Sequence, residues 1–180
     1  MGKTFTYISD EALAHYAEPG NCAWCHDDAD LYTMYIDDGK GTHDLACVKC
    51  IKTLPLRWIY PKEDERKITS LINARYPKGK KSQDQRFALT VEMCDEYRRT
   101  PRLPNFVQDV DWPHCCGDFT EYVGDAGKFY QGPFDGFDWW GYEEDFAIEN
   151  GIEGMMDSES GVSLFRCLDC TNKFWTCQYT

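Results

Sequence analysis

Two pairs of cysteines with the same short spacing constrain this chain more than any other feature of its sequence. Cys22 and Cys25 are separated by two residues, and so are Cys47 and Cys50. This spacing lets a tight turn direct both sulfurs and its free backbone amides toward one ion, and two such turns complete a tetrahedral site. We therefore predict a four-cysteine site for zinc, because thiolate-only ligation favours zinc or iron and nothing else in the sequence marks a redox protein.

A β-hairpin is expected to separate the two pairs. The 21 residues between Cys25 and Cys47 slightly exceed the usual length for such a site, but they accommodate a hairpin. Aromatic and branched residues at 31–36 predict a strand, and the glycine-rich acidic segment at 37–41 is typical of a turn. The sequence therefore predicts a zinc ribbon.

Two other interpretations of the first pair carry less weight. A thioredoxin-like dithiol at Cys22 and Cys25 needs a preceding buried strand and a following long helix, and neither pattern flanks this pair. His26 could replace one cysteine as a ligand, but four thiols are already available. We therefore expect His26 to be solvated, as we do His15 and His43.

A third pair with the same spacing, Cys167 and Cys170, predicts a second site that needs two further ligands. The candidate set is Cys115, Cys116, Cys167 and Cys170, with His114 and Cys177 as alternative ligands. Adjacent cysteines on an extended or turning backbone point apart, so we expect only one of Cys115 and Cys116 to bind. The competing interpretation is that these are buried, reduced thiols that pack as small apolar groups. Cys94 is assigned to the core because it falls on an apolar helical stripe with Phe87 and Val91.

The periodicity of apolar residues predicts an α+β fold in which small zinc-ribbon elements are attached to a mixed helical core. Helices are predicted at 9–16, 63–75, 82–98, 119–123 and 143–156, and strands at 4–8, 163–166 and 174–179. Ser82 is the predicted N-cap of its helix, and Thr100 with Pro101 ends it. Residues 124–141 are rich in glycine and aromatic residues, which predicts a loop held in place by its aromatic side chains.

Three parts of the chain are expected to pack as one compact unit. Residues 1–60 form a zinc-ribbon-like N-terminal part, residues 61–124 a helical part, and residues 125–180 a loop with the C-terminal cysteine pair.

Charge and hydropathy restrict the partners and the location. The formal net charge is −12, from 31 acidic and 19 basic residues, so the averaged field repels nucleic acid and anionic lipid but attracts a basic protein. No signal peptide is recognisable at residues 1–10, and no apolar run approaches the roughly 20 residues that span a bilayer. We expect a cytoplasmic protein without a membrane partner, whose ten cysteines serve metal binding in a reducing compartment.

Enzymatic and nucleic-acid-binding functions are the alternatives. A catalytic metal at Cys115, Cys167 and Cys170 would require an open coordination position. A cysteine hydrolase using Cys115, His114 and Asp118 is disfavoured, because residues so close in sequence seldom align as nucleophile, base and orienting group. Nucleic-acid binding would require a group of basic residues to gather into one patch. These residues are Lys78, Lys80, Lys81, Arg98, Arg99 and Arg102.

Motifs spread over the chain resemble those of the CbrC family of bacterial proteins. Phe5-Thr-Tyr7 is similar to the opening of the family, and the cysteine pairs at 22–25 and 45–51 resemble its first metal-type pattern. The segments 99–101, 112–118 and 122–124 carry the most specific resemblance, although members often have histidine where Cys115 stands. Leu164 to Cys170 is similar to the C-terminal cysteine pair of the family, which glycine usually follows where this chain has Thr171.

The resemblance implies tolerance of DNase-type colicins. Tolerance could arise by binding of the nuclease domain, by altered uptake or by recovery from damage, and an acidic surface suits capture of a basic nuclease toxin. The leading hypothesis is a non-enzymatic zinc-binding protein that protects the cell through contact with another protein.

Overall fold

The chain adopts an α+β fold that divides into two compact units. The computed structural model describes residues 2–35, 43–54, 62–101, 103, 112–141, 144–156 and 161–178. One unit comprises Tyr16–Arg102, and the other combines Met1–His15 with Leu103–Thr180. These boundaries differ from the predicted divisions at 60 and 124, because the first residues of the chain pair with a strand far along the sequence.

The unit Tyr16–Arg102 contains a three-stranded antiparallel sheet followed by helices. Its elements are β1 (Glu18–Asn21), β2 (Asp28–Tyr35), β3 (His43–Cys47), α2 (Val48–Thr53), α3 (Lys62–Arg75) and α4 (Gln83–Arg99). The central strand is β2, and its Leu31 lies opposite Cys47 of β3. The predicted strand at 31–36 and the two predicted long helices are confirmed, whereas the predicted turn at 37–41 lies outside the described residues.

Helix α4 begins and ends where its sequence signals predict. The Ser82 hydroxyl accepts the backbone N–H of Gln85, whose side chain in turn accepts the N–H of Ser82, which forms a capping box. At the other end, the backbone N–H of Thr100 donates to the carbonyls of Glu96 and Tyr97 in the last turn of the helix. The predicted apolar stripe is only partly buried, because Met93, Cys94 and Tyr97 are the buried residues of α4. Phe87 and Val91, by contrast, are 69% and 47% exposed.

The second unit is built on a four-stranded sheet in the order β6-β8-β9-β7. Its elements are α1 (Asp10–His15), β4 (His114–Cys115), β5 (Asp118–Phe119), β6 (Glu121–Asp125), β7 (Phe137–Trp139), α5 (Glu144–Met156), β8 (Gly161–Arg166) and β9 (Lys173–Gln178). The pairings are antiparallel except for that of β7 with β9, and β4 and β5 form a separate two-stranded ladder. The predicted C-terminal strands and the helix ending at Met156 are confirmed, although the backbone of α5 breaks at Gly151, where φ is 64°.

The aromatic-rich segment at 124–141 is held against the core as predicted. Tyr130, Phe134, Phe137 and Trp139 pack on a buried cluster that includes Leu164 and Trp175. The rings of Trp139 and Trp175 meet edge to face at 4.6 Å. The segment also contains strand β7, which the loop prediction missed because its three residues pair with β9, a strand distant in sequence.

Two local predictions are wrong. Residues 119–123 form strands and not a helix, because Glu121 and Tyr122 pair with Arg166 and Phe165 of β8. A five-residue helix has too few internal hydrogen bonds to compete with such a ladder. Residues 4–8 form a turn and not a strand, because the carboxylate of Asp10 accepts the backbone N–H groups of Lys3 and Thr4.

The N-terminal residues join their unit through β6. The N–H of Tyr122 donates to the carbonyl of Tyr7, and the N–H of Ser9 donates to the carbonyl of Tyr122, both at 2.9 Å. The Ser9 hydroxyl also accepts the N–H of Ala12 at 3.1 Å, so Ser9 caps α1 as the sequence predicts. These contacts explain why the first fifteen residues belong with the C-terminal half of the chain.

Candidate metal centres

The structure gathers both predicted sets of four cysteines. We call Cys22, Cys25, Cys47 and Cys50 the N-terminal tetrad, and Cys115, Cys116, Cys167 and Cys170 the C-terminal tetrad. Within each tetrad the four sulfur atoms lie within 4.8 Å of one another, so each set could hold a metal ion.

One turn, the end of a strand and the start of a helix position the N-terminal tetrad. Cys22 follows β1, Cys47 ends β3 and Cys50 lies in the first turn of α2. Cys22, Cys47 and Cys50 are buried and Cys25 is half-buried, and the sulfurs of Cys25 and Cys47 are 3.7 Å apart. The fold therefore shields three of the four cysteines of this tetrad from solvent.

The turn that carries Cys22 and Cys25 closes on backbone hydrogen bonds. The N–H of His26 donates to the carbonyl of Cys22, and the N–H of Cys22 donates to the carbonyl of Asp27. His26 takes a positive φ of 59°, and its carbonyl accepts the side-chain amide of Asn21 at 2.7 Å. The exposed His26 thus shapes the turn through its backbone and lies outside the tetrad, as expected.

Hydrogen bonds and burial shift the pKa values of the thiols in this tetrad in opposite directions. Burial opposes ionisation of Cys22, but the backbone N–H groups of Cys25, Cys47 and Trp24 outweigh it and lower the pKa of Cys22 to about 6. Burial and the neighbouring thiols raise the pKa of Cys50 to about 12. The site therefore stabilises one thiolate and resists further negative charge, which a bound cation would neutralise.

The C-terminal tetrad is assembled from two turns in the other unit. Cys115 ends β4, Cys116 occupies the turn to β5, and Cys167 and Cys170 lie between β8 and β9. The sulfur of Cys115 is 3.8 Å from that of Cys116 and 3.7 Å from that of Cys170. Cys116 and Cys170 are exposed, Cys115 is half-buried and Cys167 is buried.

The sulfurs of both adjacent cysteines lie within reach of the other two, although only one of Cys115 and Cys116 was expected to bind. The prediction held that adjacent side chains point apart on an extended or turning backbone, but here Cys116 has a φ of 54° and Gly117 a φ of 78°. The left-handed turn brings the two consecutive side chains to the same side. The adjacent His114 lies outside the tetrad, and its ring meets Trp140 edge to face at 4.7 Å.

Asn172 is a supporting residue that the sequence analysis missed. Its carbonyl accepts the N–H of Cys167 at 2.8 Å, and its side-chain amide lies 3.6 Å from the sulfur of Cys115. Its backbone N–H also lowers the pKa of Cys170. Burial raises the pKa of Cys115 to about 12, with the other thiols of the tetrad adding to the shift. The sequence signal that could have identified Asn172 is its position two residues after the pair Cys167 and Cys170.

The other cysteines and the proposed catalytic partners have packing roles. Cys177 is buried in the apolar cluster of its unit, and Cys94 is buried in α4. The carboxylate of Asp118 accepts the hydroxyl of Tyr7 at 3.0 Å and the N–H of Phe119 at 2.8 Å. Asp118 is therefore engaged with neighbouring chain segments, which argues against its use as the orienting group of a hydrolase.

Three of the basic residues considered for nucleic-acid binding make contacts inside their own unit. Arg98 pairs with Glu65, and Arg99 donates to the carbonyl of Lys52. The ammonium group of Lys81 lies 4.8 Å from the centre of the Tyr76 ring. Arg102 lies outside the described residues. These contacts disfavour a single basic patch.

Comparisons of the chain with family models, with curated proteins and with solved structures give no match. Across the part of the chain that the structure describes, no helix combines the length and apolar character needed to cross a membrane. The functional conclusions below therefore depend on the geometry of the tetrads and on the charge of the chain.

Proposed function

We propose that the protein binds two zinc ions, one in each tetrad. The observation that carries this proposal is the separation of the sulfur atoms, which is 3.7 or 3.8 Å in the pairs Cys25–Cys47, Cys115–Cys116 and Cys115–Cys170. Four thiolates at the usual zinc–sulfur distance of about 2.3 Å form a tetrahedron with edges of about 3.8 Å. The sulfur–sulfur distances given for both tetrads thus match those expected around a single tetrahedrally coordinated ion.

The dimensions also bear on the kind of metal centre. All four sulfurs of each tetrad lie within 4.8 Å of one another. An iron–sulfur cluster places several atoms between its cysteine ligands and holds their sulfurs further apart. A mononuclear ion fits the space that the cysteines leave, and thiolate ligands favour zinc among the common ions.

The proposed role of the zinc ions is structural. A catalytic zinc keeps one coordination position for water or substrate, whereas structural sites fill all four positions with protein ligands. Each tetrad offers four thiols, so a metal bound by all of them has no open position. This closure weighs against the alternative of a metal-dependent enzyme using Cys115, Cys167 and Cys170.

X-ray absorption at the zinc edge tests this coordination directly. We expect a single shell of four sulfur ligands per zinc at about 2.3 Å. A shell that contains nitrogen or oxygen would contradict closed thiolate sites and would favour the catalytic alternative. The Asn172→Ala variant serves as a second sample, in which the same shell is expected because Asn172 supports the ligands without being one.

We further propose that the zinc-stabilised protein acts in the cytoplasm by binding a basic protein. The net charge of −12 supports this, as do the exposed carboxylates of Asp28 and Asp30 on β2. Long-range attraction between an acidic and a basic surface accelerates encounter and weakens as salt is added. The resemblance to the CbrC family points to the nuclease domain of a DNase-type colicin as the partner.

Titration calorimetry with purified nuclease domains tests the partner. We expect binding at low ionic strength that weakens as salt is raised, and weaker binding for the double variant Asp28→Asn and Asp30→Asn. The matched control is Glu153→Gln, an exposed acidic position in the other unit. Absence of affinity for every nuclease domain at low salt would contradict this part of the proposal and would leave the zinc sites untouched.

A further inference from the structure

We propose that the C-terminal tetrad is a site of oxidation by hydroperoxides, at which a disulfide between Cys115 and Cys170 forms and the metal is released while the N-terminal tetrad keeps its own. This inference rests on the proposed zinc binding, since it assigns different behaviour to the two sites. It is carried by a difference between two clusters of the same composition.

Access to the sulfur atoms is the first difference. In the C-terminal tetrad Cys116 and Cys170 are exposed and only Cys167 is buried. In the N-terminal tetrad Cys22, Cys47 and Cys50 are buried and Cys25 is half-buried. A peroxide must reach the sulfur along the line of attack, so exposed thiolates react while buried ones are protected.

The structural context is the second difference. In the N-terminal tetrad Cys47 ends a strand of a three-stranded sheet, and Cys50 lies in the helix that follows it. In the C-terminal tetrad Cys116 lies in the turn between two-residue strands, and Cys170 lies in the bend between β8 and β9. Movement of the Cys170 sulfur therefore disturbs only the connection between β8 and β9. Movement of the sulfur of Cys47 or Cys50 would disturb strand β3 or helix α2.

The pairing follows from distance and connectivity. The sulfurs of Cys115 and Cys170 are 3.7 Å apart and must approach to about 2.05 Å to bond. Cys115 and Cys116 are almost as close, at 3.8 Å, but a disulfide between adjacent residues closes a small strained ring that includes their peptide bond. Cys170 offers an exposed sulfur, and Cys115 offers a close partner that is distant in sequence.

The reaction is balanced with hydrogen peroxide as the oxidant. The thiolate of Cys170 attacks one peroxide oxygen, the O–O bond breaks, and protonation of the departing oxygen gives water and a sulfenic acid. The thiolate of Cys115 then displaces the sulfenic oxygen as a second water, and the S–S bond forms. Two electrons pass from the two sulfurs to the peroxide. The remaining two thiolates take up protons and Zn²⁺ leaves, so one peroxide and four protons are consumed in all.

The chain contains its own reference thiols. Cys94 and Cys177 are buried, and each lies outside the tetrads in a different unit. Both are expected to stay reduced under conditions that oxidise Cys170. Their modification would report general unfolding instead of a reaction at an accessible site.

The test uses the full-length, zinc-loaded protein treated with a small excess of hydrogen peroxide. Released zinc is followed with a chromogenic chelator, and each cysteine is scored by differential alkylation and mass spectrometry. We expect one zinc per chain to be released, a Cys115–Cys170 crosslink, and oxidation of the C-terminal tetrad at least about tenfold faster than that of the N-terminal tetrad. Equal rates at the two tetrads, or earlier loss from the N-terminal one, would overturn the inference.

A variant and a metal count separate this inference from the proposed function. In Cys170→Ser we expect the crosslink to Cys115 to disappear, whereas the control Cys94→Ala should release zinc at the wild-type rate. An unchanged rate of C-terminal oxidation in Cys170→Ser would contradict the assignment of the attacking sulfur. A protein that carries no zinc before treatment contradicts the proposed function, and its cysteine map still decides whether oxidation concentrates at the C-terminal tetrad.

Discussion

The backbone amide of Cys47 donates a hydrogen bond to the sulfur of Cys22, with the nitrogen and the sulfur 3.4 Å apart. This bond joins the turn after β1 to the end of β3, and the N–H of Ala23 reinforces it by donating to the carbonyl of Leu45. The same amide helps to hold Cys22 as a thiolate. Sheet pairing and the geometry of the N-terminal tetrad are thus coupled in the unit Tyr16–Arg102.

Replacement of Cys22 tests that coupling. In Cys22→Ser we expect loss of one zinc and a fall of about 4 kcal/mol or more in the free energy of unfolding, because a structural metal and a buried hydrogen bond are lost together. Native mass spectrometry and urea denaturation measure the two effects. The control Cys94→Ala removes a buried cysteine outside the tetrads and should keep both metals. Retention of two zinc ions by Cys22→Ser would refute the assignment of Cys22 as a ligand.

Zinc affinity should fall as the pH falls, because protons compete with the metal for the thiolates. The pKa values of Cys50 and Cys115 are raised to about 12, so each thiol must lose a proton on binding at every physiological pH. The pKa of Cys22 is lowered to about 6, so above that pH this residue is already a thiolate and binds without losing a proton. Below that pH the Cys22 thiol must also lose a proton on binding, so one more proton competes with the metal.

Chelator competition over a pH series measures this dependence. Each displaced proton lowers the affinity by about tenfold per pH unit. We therefore expect the affinity of the N-terminal tetrad to decline toward acid and the decline to steepen below pH 6. An affinity that is constant from pH 8 to pH 5 would be incompatible with thiolate ligation.

An ion pair between a buried carboxylate and a half-exposed guanidinium stabilises the unit that contains Leu103–Thr180. Glu121 is fully buried and accepts a hydrogen bond from Arg166, which in turn raises the pKa of Arg166. In Glu121→Gln we expect the free energy of unfolding to fall by about 2 kcal/mol, because a charged partner of a half-buried guanidinium is lost. Glu65→Gln is the control, since the pair of Glu65 with Arg98 is more exposed and should contribute about 0.5 kcal/mol or less. Equal falls in the free energy of unfolding of the two variants, measured by urea denaturation, would contradict the claim that burial makes the Glu121 pair the stronger one.

The backbone of Gly124 should tolerate no side chain. Its φ of 132° lies where other residues rarely occur, at a register shift in the pairing of β6 with β8. We expect Gly124→Ala to lower the free energy of unfolding by about 1 to 3 kcal/mol. Gly161→Ala is the control, because a methyl group there meets no atom within 4 Å and φ is not in that region. A thermal unfolding midpoint that is unchanged in Gly124→Ala would contradict this account.

The sequence predicted what depends on local chemistry. The two-residue spacing of Cys22 with Cys25 and of Cys167 with Cys170 requires a tight turn whatever the rest of the chain does, and the structure brings both candidate sets of four cysteines together. The limits of α4 also follow from local signals, because Ser82 bonds a backbone group only three residues away.

Pairing between distant segments could not be anticipated in the same way. The strand at Glu121 depends on Arg166, and the placement of the first residues depends on Tyr122, and neither partner is marked in the local sequence. The participation of both Cys115 and Cys116 depends on a positive φ at Cys116, which is uncommon for a residue other than glycine. These features are set by tertiary contacts and by backbone angles that residue types alone do not specify.

Elemental analysis of the purified protein, combined with a chelator challenge, tests the central claim most directly. We predict two zinc ions per chain and loss of folded structure when a strong chelator removes them, as followed by circular dichroism. A protein that is isolated without metal and remains fully folded in the chelator would contradict the account.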